Sequence, residues 1–203
     1  MKASFMQRLF AYIIDMIIVS VVCSSIVMLV GNNSSEIAKL NEELSNAENS
    51  LTEMVNSGDT TNYDEEMQKI IDIEYKISRA SVLSETVSFI IVFGYFVVIQ
   101  LMLKGKTFGK MLLKIRVVDK KNKEPSFRVI LLRTFIIEGL LTSFLSLVTI
   151  LFLSKNTYIM FNGSLSILFT IFVIVSAIMV LYRKDKRGLH DMMAGSLVVK
   201  DEK

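Results

Sequence analysis

The chain has 203 residues, 52% of them hydrophobic and 21% charged, with a formal net charge of +3 at pH 7 and a mean hydropathy of +0.49. Apolar residues in that number beside so many charges must lie in long blocks, which excludes a simple water-soluble globule. One proline and nine glycines exclude a collagen-like or proline-rich chain, and a single cysteine, Cys23, excludes an internal disulfide or a four-cysteine metal site.

Four apolar blocks follow in chain order: Leu9 to Val30, Val82 to Leu103, Val129 to Leu153, and a last one ending at Tyr182 whose clean core begins at Leu165. At ~1.5 Å per residue, roughly 20 residues cross a ~30 Å hydrocarbon core, and lipid leaves the backbone no partner except its own helix. The first block is longer than the ~7 to 15 apolar residues of a secretion signal and carries Asp15, so it reads as a retained span. The expected fold is an all-α membrane protein with four transmembrane helices, an external helical hairpin, and a small cytoplasmic amphipathic helix plus β element. Its parts are residues 1–30 (N-terminus and first span), 31–81 (hairpin), 82–103 (second span), 104–128 (basic loop), 129–153 (third span), 154–182 (external connection and fourth span) and 183–203 (polybasic tail and strand).

Orientation comes from the basic residues. The 104–128 loop holds nine lysines and arginines and the tail from Arg183 holds six, whereas 31–81 holds four against eleven acids and the 154–164 connection only Lys155. The positive-inside bias therefore places both termini and the basic loop in the cytoplasm.

Within 31–81, Ile37, Leu40, Leu44, Ala47, Leu51 and Met54 are spaced 3, 4, 3, 4 and 3, the seam of a coiled-coil-like helix. Turn chemistry at Ser57-Gly58-Asp59-Thr60-Thr61 precedes a second helix from about Asp64 to Ser81, with Met67, Ile70, Ile71, Ile73 and Ile77 as its apolar surface. Two uses of the seam stand open: each helix buries the other's, or the hairpin engages a partner or a second copy.

On the opposite side, Phe108, Met111, Leu112 and Ile115 recur among Lys106, Lys110 and Lys114. This is the pattern of a helix at headgroup level with its lysines toward anionic lipid. Arg183, Lys184, Lys186 and Arg187 are expected to hold the end of the fourth span at the same surface. The β-favouring runs Arg116 to Asp119 and Ser196 to Lys200 are expected to pair. Gly105-Lys106-Thr107 is no nucleotide loop, because Gln100 stands where a P-loop has its first glycine.

Ionisable residues inside the blocks are Asp15, Glu85, Arg133 and Glu138. Each charge near the bilayer centre costs on the order of 2.5 to 3.5 kcal/mol, so each needs a partner or water. Glu85 is close enough to the external end to reach water. Asp15, ~9 Å into its helix, and Arg133, ~6 Å into another, lie at depths that let them meet. Arg8 shares the helix face of Asp15, seven residues on, so an Arg8–Asp15–Arg133 cluster is expected, with Gln100 donating a hydrogen bond. Glu138, ~13.5 Å deep at the level of Tyr95, is either protonated or lines a hydrated cavity. His190 and Cys23, single residues at opposite ends of the chain, give no zinc or haem site, and no cofactor is expected. Nothing brings Asp15 and Glu138 to one depth as a catalytic dyad, so the reading is not an enzyme.

Three segments carry a resemblance: Arg8-Leu9-Phe10-Ala11-Tyr12-Ile13-Ile14-Asp15; Gly105-Lys106-Thr107-Phe108-Gly109-Lys110 through Arg116-Val117-Val118-Asp119; and Gly188-Leu189-His190-Asp191-Met192-Met193-Ala194-Gly195-Ser196. In this order they resemble the RDD family of bacterial membrane proteins, named for one arginine and two aspartates. By motif these are Arg8, Asp15 and Asp191. The acidic 31–81 insertion is not part of the usual pattern, and Ser196 stands where threonine is common. The resemblance implies transport of unidentified ligands, with cation/proton antiport proposed for some members and accessory or resistance roles for others. Two functions are therefore expected to compete. One is transport through buried carboxylates in a homo-oligomer. The other is a non-transporting accessory, assembly or immunity protein acting through its hairpin on an extracytoplasmic protein. Neither involves nucleic acid.

Overall fold

The computed structural model of the protein describes residues 1–30, 33–58, 61–121 and 123–201. Asp59 and Thr60, at the centre of the expected hairpin turn, lie outside the described residues. Helix α1 (Phe5–Val30) comes first, then α2 (Ser34–Ser57), then α3 (Tyr63–Phe93), which continues through a π-helical turn, Gly94–Ile99, into the short α4 (Gln100–Met102). Next are α5 (Phe108–Leu112), β1 (Ile115–Asp119), α6 (Phe127–Ile137), α7 (Leu140–Phe152), α8 (Lys155–Tyr182), α9 (Leu189–Ala194) and β2 (Ser196–Lys200).

The apolar blocks became helices for the reason that made them legible: most of their large side chains stay exposed on the protein surface, which suits lipid. Three stretches are long and apolar enough to cross a membrane: Phe5–Val30, Tyr63–Met102 and Lys155–Tyr182. The third block departs from expectation. A single helix over Val129 to Leu153 was predicted; instead α6 and α7 meet at 70°. Gly139 sits at the break with φ +70°, a left-handed conformation that ends α6 as glycine after a helix commonly does.

Helices α2 and α3 form the hairpin, its seam built from Leu40 and Ala47 against Ile70 and Ile73, with Leu44, Leu51 and Ile77 packed alongside. The seam is thus consumed within the chain. At the opposite end, β1 and β2 pair antiparallel from Ile115↔Lys200 to Asp119↔Ser196, as the two β-favouring runs required. The first residues join them unforeseen: the Ala3 N–H donates to Val198 O (3.0 Å) and the Lys200 N–H to Met1 O (2.8 Å). Ala3, Ala11, Ile115, Val117 and Val198 form the small core beneath this sheet.

Candidate functional site

Between the sheet and the helix break lie three carboxylates in very different surroundings. Asp15, 1% exposed on α1, accepts from Tyr95 OH (2.6 Å), Thr107 Oγ1 (2.5 Å) and the Gly109 N–H (2.7 Å). Each donor has a local cause. Tyr95 stands on the π-helical turn, where the extra residue shifts the ring toward α1. Thr107 is the N-cap of α5, and Gly109 follows where a Cβ would meet Ala11 O at 2.2 Å and Asp15 Oδ1 at 2.9 Å. Only glycine lets α5 lie against α1.

Asp191, fully buried in α9, accepts from Arg8 Nη1 (2.9 Å), Ser196 Oγ (3.0 Å) and the Gly188 N–H (3.3 Å), and pairs with Arg133 Nη1. It joins α1, α6, α9 and the start of β2. The expected Arg8–Asp15–Arg133 cluster is therefore corrected: both guanidiniums turn to Asp191, and Asp15 is held by neutral donors. Depth arguments brought the right residues to one region but could not choose between two acids there. Gln100 does not reach Asp15 either; it folds back onto Gly105 O (3.4 Å).

Glu138 is different. It ends α6 at the break, and among the described residues its carboxyl makes no hydrogen bond and no ion pair. It lines a cavity of about 240 Å³ together with Tyr12, Asp15, Arg8, Arg133, His190 and Lys110, otherwise walled by apolar side chains such as Leu9, Ile137, Val173 and Val180. A cavity beside Glu138, one of the two surroundings expected for it, is present.

Lys110 corrects the surface reading of α5. Its ammonium turns inward, 5.9 Å from the centre of the Phe96 ring, and onto that cavity. Burial, and then Arg133, push it below the ordinary lysine range. Phe108, Met111 and Leu112 do face outward, but Ile115 belongs to β1 and is buried. Lys106 pairs with Asp201 (2.8 Å), while Lys114 is exposed. In the tail, Arg183 pairs with Asp185 (2.9 Å), Lys186 caps Leu181 O (2.9 Å) and Lys184 is exposed. Arg187 was expected at the lipid surface. It donates instead to Ser196 O and Asp191 O, each 3.1 Å away, bracing the clasp.

His190, also missed as a site residue, places Nδ1 2.6 Å from Ser176 Oγ of α8. Burial, then Arg133, Arg8 and Lys110, push its ring down to about 2, so it is neutral at physiological pH even with Nε2 3.5 Å from Asp191. The available signals for what was missed were local: a threonine N-cap followed by glycine at Thr107 and Gly109, and the Glu138-Gly139 pair inside an apolar block.

Residues 2–195 match the model of the RDD family. The chain belongs to the RDD family. The arginine and aspartates that the motif assigns are Arg8, Asp15 and Asp191, and in this RDD protein Arg8 and Asp191 form one ion pair while Asp15 stands in a separate cradle. With its apolar helices the protein is a multi-pass membrane protein. No curated protein and no solved structure matches the chain.

Proposed function

We infer that this protein is a proton-coupled membrane transporter in which Glu138 exchanges the proton. The carrying observation is a carboxyl that makes no hydrogen bond among the described residues, at the break of a helix, on the wall of a cavity that also holds Lys110 and Arg133. Broken helices are where transporters build ion sites, because freed backbone groups and helix ends face the cavity. Asp15 and Asp191 are already engaged, accepting from three and four donors respectively.

The groups on the walls bear on the identity of the ion. Arg8 and Arg133 are paired with Asp191, and the Lys110 ammonium shares the cavity with Glu138, so a proton needs only that titrating group, whereas a metal cation has to compete with the ammonium for it. The sheet end, with the basic loop and tail, is assigned to the cytoplasm and the hairpin to the outside by the lysine and arginine bias. One chain lines the cavity by itself, so an oligomer serves assembly or stability, and the exposed lysines of the sheet end meet anionic lipid. The hairpin seam closes on itself, which favours transport over the accessory reading.

The test is proteoliposome flux under imposed H⁺, Na⁺ and K⁺ gradients. Wild-type protein is expected to move protons, and Glu138→Gln to fold and not move them. Absence of any wild-type flux contradicts the proposal. Loss of phenotype on deleting 36–80, with flux intact, favours the accessory role.

A further inference from the structure

Glu138 lines a second cavity as well. This one, about 460 Å³, is lined by α1, α3 and α7 and extends from Glu138 at the helix break to Val27 and Ser81 nearer the hairpin. Its wall is unlike the first. Ser81, Glu85 and Ser88 stand at spacings of four and three on α3 and so form one face, with Cys23 of α1 opposite and Ser143 of α7 at the floor beside Glu138. Glu85 is the other acid on this wall, and no lysine or arginine lines it. The sheet-end cavity has three cationic side chains beside two acids; the charged side chains of the hairpin-end cavity, among the described residues, are the two acids alone.

We propose that the hairpin-end cavity is a hydrated vestibule that admits protons and small cations from outside and delivers them to Glu138, the one residue facing both cavities. This rests on the transport reading and adds a route to it. Three observations converge: two separate cavities, one residue common to both among those described, and a carboxyl that accepts no hydrogen bond, its nearest opposing charges, Lys110 and Arg133, lying on the sheet-end side. Distances along the helix agree. Cys23 lies seven residues, ~10 Å, from the hairpin end of α1, and Ser88 lies seven residues further along α3 than Ser81, so the polar face runs about a third of the ~30 Å hydrocarbon depth. A serine face between helices also has a dry use, closing helices tightly together. The two uses differ in water access at Cys23.

Cys23 is the protein's single cysteine and makes the experiment possible without engineering. Full-length protein in sealed vesicles with the hairpin end outward is treated with membrane-impermeant methanethiosulfonates, one cationic and one anionic, of equal size. Modification is read by mass spectrometry. The expected result is labelling of Cys23 by the cationic reagent, faster than by the anionic one by on the order of tenfold, with Glu85→Gln reducing that preference. A second reporter, Ser143→Cys in a Cys23→Ser background, is expected to label from outside and to block proton flux once labelled.

Cys23 that resists both impermeant reagents while a permeant one reacts overturns the vestibule. Equal rates for both charges overturn its cation preference. The two readings fail separately: labelled Cys23 without flux removes transport and leaves the vestibule, and flux with Cys23 and Ser143→Cys both protected leaves transport and removes this route.

Discussion

The clasp around Asp191 and the break at Glu138 belong to the same helix, α6 and its end, yet treat a buried charge in opposite ways. Asp191 receives two guanidiniums, a hydroxyl and a backbone amide, so that α1, α6, the start of α9 and the start of β2 are tied together through it. Glu138 accepts no hydrogen bond among the described residues, has Lys110 and Arg133 only as nearby charges, and lines a cavity on each side. A saturated carboxylate holds structure together; an unsaturated one is free to exchange a proton. The contrast separates architecture from function without reference to depth in the membrane.

Removing the clasp should have the largest effect. Asp191→Asn strands Arg8 and Arg133 in a buried site, a loss of about 3 to 5 kcal/mol, and is expected to lower thermal stability in detergent sharply or to prevent accumulation in the membrane. Asp15→Asn comes next. An amide presents a donor to a cradle made only of donors, at a cost of about 1 to 3 kcal/mol, and Gly109→Ala should match it by pushing α5 off α1.

A pH effect of intermediate size tests the neutral ring beside the clasp. The unfolded chain protonates His190 near its ordinary value of ~6.5, whereas the folded chain holds it down to about 2. Below pH 6.5 the unfolded state binds the extra proton, so stability falls with falling pH by at most about 1.4 kcal/mol per unit. Melting temperatures at pH 7 and pH 5 should converge in His190→Gln if this group dominates; an unchanged difference places the effect elsewhere.

The smallest effects belong to the periphery. Lys155 and Asp72 tie the start of α8 to the hairpin across an exposed pair, and Lys155→Ala should cost less than about 1 kcal/mol by chemical denaturation.

Sequence reading reached the helices, the hairpin seam and the strand pairing because each is a periodic pattern with a single way to bury itself. Leu40 and Ile73 pack where their spacing requires, and Val117 opposes Val198. It failed where several partners stood within reach. Arg133 had two aspartates to choose from, and Lys110 had both lipid and a cavity; the choice depends on how α5 and α9 fold back, which no periodicity encodes. The break at Gly139 was hidden by the apolarity of the whole block, since hydropathy measures length and not direction. Gly109 was hidden too, because its reason is the distance to another helix.

The central claim, that Glu138 alone among the three buried carboxyls exchanges protons with water, is open to infrared difference spectroscopy of the protein in lipid during a pH titration. The account expects a protonated-carboxyl band that rises as pH falls, persists in Asp15→Asn, and is missing from Glu138→Gln. A band that survives in Glu138→Gln, or no titrating band in wild-type protein, would contradict it.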